Sequence, residues 1–180
     1  MFIETENEDP LKQYFKYTWK QTEIDNHVIE EIKNVKSVFD VGCGFNQYKQ
    51  FNNKLIGIDY SNDKADWVGD LIYYKTNIKF EVAICYGILH FYSYDWIRRR
   101  LGWIIDNTTK NAKILMKVNP NNPRLDAPDL VWFDKWNRGL ADHFADIYNL
   151  KIWNWREWHN PLDNSVRLKF DYRKNEYGTK

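Results

Sequence analysis

The sequence predicts an α/β fold in which buried parallel strands alternate with helices. Two apolar strands lie close together in the first third of the chain: one runs into a glycine turn, and the next ends at Asp59. A later apolar run, Val82 to Tyr86, shows no alternation of polar residues and therefore predicts a strand buried on both faces. These observations indicate a sheet whose strand ends carry a ligand site.

The segments before the first strand predict two helices. From Pro10 to about Lys20 apolar side chains recur at helical spacing, and Asp25 can cap a second helix. The inward positions of these helices are Leu11, Tyr14, Phe15 and Trp19, then Val28, Ile29 and Ile32.

The middle of the chain predicts short connections and one longer helix. A short helix over Gln47 to Phe51 follows the glycine turn, and a third strand lies near Trp67 and Val68, so both crossovers are trimmed. Ser93 can cap a helix with one inward face. That face comprises Ile97, Leu101, Ile104 and Thr108.

The last third predicts one more helix and three strands. Lys113 to Val118 is the fifth strand, and Ile152 to Trp158 and Val166 to Tyr172 alternate as a pair of strands. A polar loop covers Asn119 to Asp129 after the fifth strand. A turn through Asn160 to Asp163 separates the last two strands. A stripe with a spacing of four predicts a buried helix face at Trp132, Trp136, Leu140 and Phe144.

The glycine turn and Asp59 together predict a nucleoside-containing cofactor. A turn after the first strand lets a ligand approach bare backbone, and an acid at the end of the second strand can accept from both ribose hydroxyls. The dinucleotide pattern G-x-G-x-x-G requires glycine at position 47, which is Gln47. NAD and FAD are therefore the weaker interpretation.

The turn resembles the acidic D/E-x-G-x-G-x-G signature of the class I S-adenosylmethionine-dependent methyltransferase family. Asp40, Gly42 and Gly44 are in register with it, and the third glycine is replaced by Asn46, the residue type that best tolerates positive φ after glycine. Three further family landmarks follow in order: Asp59 after the second strand, Gly69-Asp70-Leu71 after the third, and Leu89-His90 after the fourth. The resemblance runs from about Val38 to Val118.

The resemblance implies a Rossmann-like, doubly wound fold. Its sheet has seven mostly parallel strands with an antiparallel end strand, and helices cover both faces. Residues 1–35 would form an N-terminal helical cap on a methyltransferase domain of residues 36–180, within one compact domain.

The resemblance also implies a set of residues that bind S-adenosylmethionine. Asp40 would meet the methionine amino group through water, Asp59 would hold the ribose hydroxyls, and Asp70 would accept from the exocyclic amine of adenine. Either Tyr60 or Trp67 could stack on the adenine. The complete predicted set is Asp40, Gly42, Cys43, Gly44, Asp59, Tyr60, Asp70, Leu71, Tyr86 and Gly87.

Residues for the acceptor and for proton transfer are also suggested. In the resembled family the N-terminal helices fold over the cofactor, which makes Tyr14, Tyr17 and Trp19 candidate lid residues; the alternative is that they pack on the edge of the sheet. Arg124, in the loop after the fifth strand, could meet an anionic substrate or be an ordinary surface residue. His90 is a candidate general base, or it is structural with both ring nitrogens bonded locally.

Composition restricts the partners. The 180 residues suit a single domain, and 26 Lys and Arg against 25 Asp and Glu give a net charge of +1, so no broad basic field for nucleic acid is expected. The run Arg98 to Arg100 is expected to form a solvated helix face. No metal spacing is present, and Cys43 and Cys85 are expected to be reduced and buried. The acidic beginning and the lack of a long apolar run predict a cytoplasmic protein without membrane contact.

The favoured function is methyl transfer to a small molecule. The alternatives are a non-catalytic protein that binds an adenosyl ligand, and an RNA or protein methyltransferase. DNA amino-methylation is disfavoured because the N/D-P-P-Y type of signature is missing after the fourth strand.

Overall fold

A computed structural model describes residues 10–11, 24–120, 131–159 and 165–174. Within these ranges seven strands form one sheet. The strands are β1 (Val38–Val41), β2 (Leu55–Asp59), β3 (Trp67–Val68), β4 (Phe80–Tyr86), β5 (Thr108–Val118), β6 (Leu150–His159) and β7 (Val166–Lys174).

The strand order in the sheet is β3-β2-β1-β4-β5-β7-β6. Neighbouring strands from β3 to β5 are parallel, whereas β7 is antiparallel to both β5 and β6. The antiparallel strand therefore lies next to the edge of the sheet, and β6 forms the edge itself. The chain order reverses between β1 and β4, which is the position where ligands bind in such sheets.

Three α-helices with described bounds and two short 3₁₀ helices accompany the strands, and Pro10 and Leu11 are also helical. The α-helices are α1 (Asn26–Ile32), α2 (Tyr94–Asp106) and α3 (Arg138–Tyr148), and the 3₁₀ helices are Gln47–Gln50 and Leu71–Tyr73. Both predicted caps are confirmed: the Asp25 carboxylate accepts from the N–H of His27, and the Ser93 hydroxyl accepts from the N–H of Trp96. None of the described helices is both long and apolar enough to cross a membrane.

Two details of the predicted helices are wrong. Thr108 is the first residue of β5 rather than part of α2, and its hydroxyl donates to the carbonyl of Ile105 at 2.8 Å. The helix predicted from Trp132 begins only at Arg138, because Trp132 pairs with Phe91 in an isolated β-bridge and the indole N–H of Trp136 donates to the carbonyl of Leu89. Trp132 and Trp136 therefore share the four-residue spacing of the helix face although they lie in an irregular segment before the helix.

Alternate strand residues enter two apolar clusters. The first contains strand residues such as Phe39, Ala83 and Met116 together with residues of α2 and α3. The second contains Val38, Val82, Ile84, Leu115 and other residues together with Val28 and Ile32 of α1. This separation follows the period of two along a strand. It also makes α1 part of the packing of the sheet.

Several predicted residues lie outside the described ranges. These are the four residues expected to face the substrate, with most of the first predicted helix, most of the polar loop after β5 and the turn between β6 and β7. The four residues are Tyr14, Tyr17, Trp19 and Arg124.

Candidate functional site

A cleft of about 420 Å³, part of it open to solvent, lies at the carboxyl ends of β1, β2 and β3. It brings together five residues that the sequence predicted for a cofactor: Gly42, Asp59, Tyr60, Asp70 and Leu71.

The turn after β1 has the backbone that the glycines and Asn46 predict. Gly42, Gly44 and Asn46 all have positive φ, of 74°, 52° and 56° respectively, which confirms the expectation for Asn46. A side chain at position 42 would also collide with Ile88, since its Cβ would lie 2.0 Å from Cγ2 of that residue. At Gly44 the space is open within 4 Å, so a ligand can approach the backbone there.

A network centred on Asp66 ties this turn to β2. The amide of Asn46 donates to Asp66 Oδ2 at 3.2 Å, the N–H of Gly57 donates to the same oxygen at 2.8 Å, and the ammonium of Lys49 pairs with Oδ1. Burial raises the pKa of Asp66, but the hydrogen bonds from Lys49, Gly57 and Asn46 outweigh it and hold the pKa below its usual value. The turn is therefore fixed by contacts of ionised Asp66.

Asp59 is oriented by the backbone of two segments. Its Oδ2 accepts from the N–H of Gly44 at 3.0 Å, and its Oδ1 accepts from the N–H groups of Ser61 and Asn62 at 3.0 and 2.9 Å. Because a carboxylate offers about four acceptor positions, one remains for a ligand donor after these three bonds. The geometry suits a hydroxyl group bound at the wall of the cleft.

Asp40 is a buried acid, one of whose carboxylate oxygens has no partner among the described residues. Only 3% of the residue is exposed, and Oδ2 has no hydrogen-bond partner among the described residues. Burial, followed by the charge of Asp59, raises the pKa of Asp40 to about 8. An uncompensated buried carboxyl of this kind favours binding of a cation or a strong donor, which would stabilise its ionised form.

Arg100 closes the far side of the cleft. Its guanidinium pairs with Asp70 Oδ2 and lies over the ring of Trp96, 3.7 Å from the centroid, while Asp70 Oδ1 accepts from the N–H of Ile72 at 3.3 Å. Arg98 and Arg99 are exposed as expected, but Arg100 is only 8% exposed, so the prediction of a solvated triplet is wrong for this residue.

The sequence contained a signal for the burial of Arg100. The residue lies three positions after Ile97 and four before Ile104, and both of those are buried on the inner face of α2. An arginine on an apolar helix face requires a partner in the core, which Asp70 provides. Sequence reasoning also missed five apolar lining residues, which are Leu11, Val41, Ile58, Ile88 and Trp96.

The end of β4 offers its backbone rather than its side chain. The hydroxyl of Tyr86 donates to Asp25 Oδ2 at 3.2 Å on the α1 side of the sheet, and the ammonium groups of Lys117 and Lys169 lie over its ring. Gly87 follows with φ of 77° and open space within 4 Å of a Cβ position. A ligand near β4 would therefore meet main-chain groups of these two residues.

His90 is buried and is not among the residues that line the cleft. Its Nδ1 accepts from the N–H of Asn119 at 3.2 Å, and its ring stacks on Trp132 with an interplanar angle of 14°. Burial and, secondarily, the charge of Arg167 lower the pKa of His90 to about 3. The imidazole is therefore neutral at pH 7, with its proton on Nε2.

Of the two aromatic residues predicted to stack on adenine, only one lines the cleft. Tyr60 lines the cleft, whereas Trp67 packs on Tyr74 with ring centroids 5.3 Å apart. Cys43 and Cys85 are both free and buried, as expected. Burial raises the pKa of each thiol, so neither is a reactive nucleophile.

Comparison with protein-family models and with curated proteins finds no match. Solved structures do match. The N-methyltransferase NodS of Bradyrhizobium japonicum, in complex with S-adenosylhomocysteine, has a TM-score of 0.66 at 10% identity over 93% of this chain and 100% of its own.

Two other solved structures show the same likeness. Magnesium protoporphyrin IX methyltransferase of Synechocystis, with bound S-adenosylhomocysteine, has a TM-score of 0.66 at 10% identity over 92% of this chain and 98% of its own. The 1,6-didemethyltoxoflavin-N1-methyltransferase of Burkholderia thailandensis has a TM-score of 0.63 at 13% identity over 78% of this chain and 71% of its own. The chain therefore has the fold of S-adenosylmethionine-dependent methyltransferases.

Proposed function

We propose that the protein transfers a methyl group from S-adenosylmethionine to a small-molecule acceptor. The observation that carries the proposal is the pair of buried acids on either side of the glycine turn: Asp40, with an unpartnered oxygen, and Asp59, held by three N–H groups at the wall of the cleft. One acid suits an ammonium group and the other suits a ribose.

We expect the described residues at the strand ends to bind the successive parts of such a cofactor. The adenine would lie between Tyr60 and Asp70, one ribose hydroxyl at Asp59, and the methionine ammonium at Asp40. The backbone at Gly44 and Gly87 has open space for the intervening atoms. A doubly wound arrangement with helices on both faces is part of the proposal, supported by the two apolar clusters.

The bound cofactor would supply an electrophilic methyl group on a sulfonium centre. The residues of the chain then have to bind and orient the reactants and exclude water, which can provide much of the rate enhancement in an in-line displacement. His90 would act by shaping the segment after β4, because its Nδ1 already accepts from Asn119.

The small-molecule acceptor is supported by the net charge of +1, which provides no broad basic field, and by neighbours whose names specify small acceptors. Tyr14, Tyr17, Trp19 and Arg124 remain proposed acceptor contacts. A steep loss of acceptor binding with salt would instead favour RNA.

Thermal unfolding with S-adenosylmethionine, S-adenosylhomocysteine and NAD tests the cofactor site. Ligand at a hundred times its dissociation constant adds ~2.7 kcal/mol, or about 5–10 °C for a chain of this size. We expect this shift with both adenosyl ligands, no shift with NAD, and loss of the shift in Asp59→Asn. Asp63→Asn, an exposed acid in the same loop, is the matched control. Equal shifts in wild type and Asp59→Asn, or none at saturation, would contradict the proposal.

A non-catalytic role is the second candidate. It is favoured by the reduced connections, because a single 3₁₀ turn joins β1 to β2 and another joins β3 to β4. Transfer of labelled methyl to a pool of metabolites would exclude it. Ligand binding without any turnover would support it.

A further inference from the structure

We propose that His27, Glu31 and Asp171 bind a divalent transition metal ion, with zinc as the occupant, and that this ion joins α1 to β7. Each residue offers one ligand atom, and these atoms all lie within 4.8 Å of one another. None of the three is among the described residues that line the cleft, so the site is independent of the function proposed above.

Two of the ligands lie on the side of α1 that packs against the sheet. His27 and Glu31 are four residues apart and therefore occupy neighbouring positions on one face of the helix. Val28 and Ile32, next to them in the sequence, are fully buried in the apolar cluster that includes residues of β1, β4 and β5. This packing holds both ligands beside the sheet.

The third ligand comes from β7. The side chain of Asp171 is only 1% exposed, and its Oδ1 and Oδ2 lie 3.2 and 3.1 Å from Nε2 of His27. Two atoms bonded to one zinc ion in tetrahedral geometry lie about 3.3 Å apart, because each bond is about 2.0–2.2 Å long. His27 and Asp171 therefore already have nearly the separation that zinc requires, and rotation of the Glu31 side chain would bring its carboxylate to the same ion.

A neighbouring amide orients the Asp171 carboxylate. Nδ2 of Asn154 donates to Oδ2 of Asp171 at 2.6 Å, and Asn154 has a φ of 55° at the point where the register of β6 against β7 shifts. Irregularities of this kind redirect a side chain, and carboxylates that bind metals are themselves held by hydrogen bonds. The bond fixes Oδ2 and leaves Oδ1, whose only side-chain contact in the described part of the chain is His27, to face the ion.

The chemistry of the three ligands selects the metal. Imidazole nitrogen together with carboxylate oxygen is a ligand set that zinc accepts, whereas calcium and magnesium take sets made of oxygen atoms. Three protein ligands would leave one position of a four-coordinate zinc ion for water.

Lys113 is the cation that would compete with the metal. Its ammonium pairs with the Glu31 carboxylate. The Lys113 side chain is 35% exposed, so it can turn to solvent when an ion takes its place beside Glu31. Among the described residues the only basic partner of Asp171 is His27. A doubly charged ion would therefore be shared by two carboxylates that now have separate partners.

The consequence of metal binding is a link between distant parts of the chain. His27 and Asp171 are 144 residues apart, which is why no spacing of ligands in the sequence indicates the site. An ion held by both would fix the helix before β1 to a strand at the other end of the chain. Because such a site forms only in the folded protein, zinc should stabilise that state.

The test is a calorimetric titration of the full chain with zinc chloride after a chelator has removed bound metal. We expect one zinc ion per chain and no binding of magnesium chloride. Asn154→Gly, which keeps the left-handed backbone but removes the amide, should weaken zinc binding about 10- to 100-fold, and Glu31→Gln should weaken it at least as much. Glu30→Gln, an exposed acid on the same helix, is the matched control and should bind as wild type does.

Lys113→Met is the variant that should not lose affinity. It removes the competing ammonium, so it should bind zinc at least as tightly as wild type. Zinc at a hundred times its dissociation constant should also raise the melting temperature of wild type by about 5–10 °C, and that of Glu31→Gln at the same concentration by much less.

Three results would overturn the inference. Equal affinity in Glu31→Gln and Glu30→Gln would assign the ion to adventitious surface sites. Weaker binding in Lys113→Met would show that Glu31 does not exchange its lysine for the metal. Absence of saturable zinc binding to wild type would remove the site altogether, and none of these results would affect the proposed methyl transfer.

Discussion

The side-chain oxygen of Asn46 lies directly against Gly57: a Cβ on residue 57 would come within 2.3 Å of Oδ1 of Asn46. Asn46 takes the left-handed conformation in the turn after β1, and Gly57 is in the middle of β2. The space for the asparagine at the third position of the glycine motif is therefore provided by the neighbouring strand.

Gly57→Ala should displace Asn46 and weaken the Asp66 network. Overpacking of this kind costs about 1–3 kcal/mol, which urea unfolding can measure. Asn46→Gly in the same chain should restore part of the loss. The restoration is partial because the Sγ of Cys43 would also lie 2.9 Å from the new Cβ. If the double variant is no more stable than Gly57→Ala, the contact does not limit the turn.

The free energy of unfolding should depend on the titration of Asp40. The pKa of Asp40 is about 8 in the folded protein against 3.8 for an ordinary aspartate, so between these values the native state holds a proton that the unfolded chain lacks. Stability from this group is present below pH 4 and is lost as the pH rises towards 8, by at most about 1.4 kcal/mol per pH unit.

Asp40→Asn should remove this dependence of the free energy of unfolding on pH. The difference in melting temperature, variant minus wild type, should therefore increase as the pH is raised from 5 to 8. Parallel curves over this range would show that Asp40 is ionised in the folded protein without a ligand.

Binding of S-adenosylhomocysteine should release a proton from Asp40. The ligand ammonium stabilises the ionised carboxylate, so binding at pH 7 lowers the pKa of Asp40 and affinity rises with pH up to about 8. Calorimetry in two buffers with different ionisation enthalpies measures the proton count. Asp40→Asn should show no such release, and an unchanged count in the variant would place the titrating group elsewhere.

His90 should contribute to acid sensitivity. Its pKa is about 3 in the folded protein and about 6.5 when unfolded, so between these values the unfolded chain binds more protons. Stability from this group is present above pH 6.5 and is lost as the pH falls towards 3. His90→Gln, which keeps an acceptor for Asn119, should unfold with a flatter pH dependence between pH 6 and 4.

The same variant separates a structural role of His90 from a catalytic one. If the imidazole shapes the segment after β4, the pH–rate profile of methyl transfer should keep its form in His90→Gln. Loss of the acidic limb from that profile, where protonation of a base lowers the rate, would identify His90 as a general base.

Local signals predicted much of the fold. The caps at Asp25 and Ser93, the glycine turn and the strand ending at Asp59 are all encoded within a few neighbouring residues, and each appears in the structure. The predicted residues that line the cleft follow the ends of parallel strands, which meet at one edge of the sheet, so their proximity was predictable.

Contacts between distant segments could not be predicted in this way. The pairing of Arg100 with Asp70 joins α2 to the segment after β3, and the hydrogen bond from Trp136 to Leu89 joins two irregular segments. The side chain of Tyr86 points to Asp25, which depends on how α1 packs against β4. In each case tertiary packing decides the environment of the side chain.

A crystal structure of the complex with S-adenosylhomocysteine tests the central claim most directly. The account predicts a ribose hydroxyl within hydrogen-bond distance of the Asp59 carboxylate, the purine beside Tyr60 and Asp70, and the ammonium within reach of Asp40. A ligand bound elsewhere, or a cleft still without ligand under saturating conditions, would contradict it.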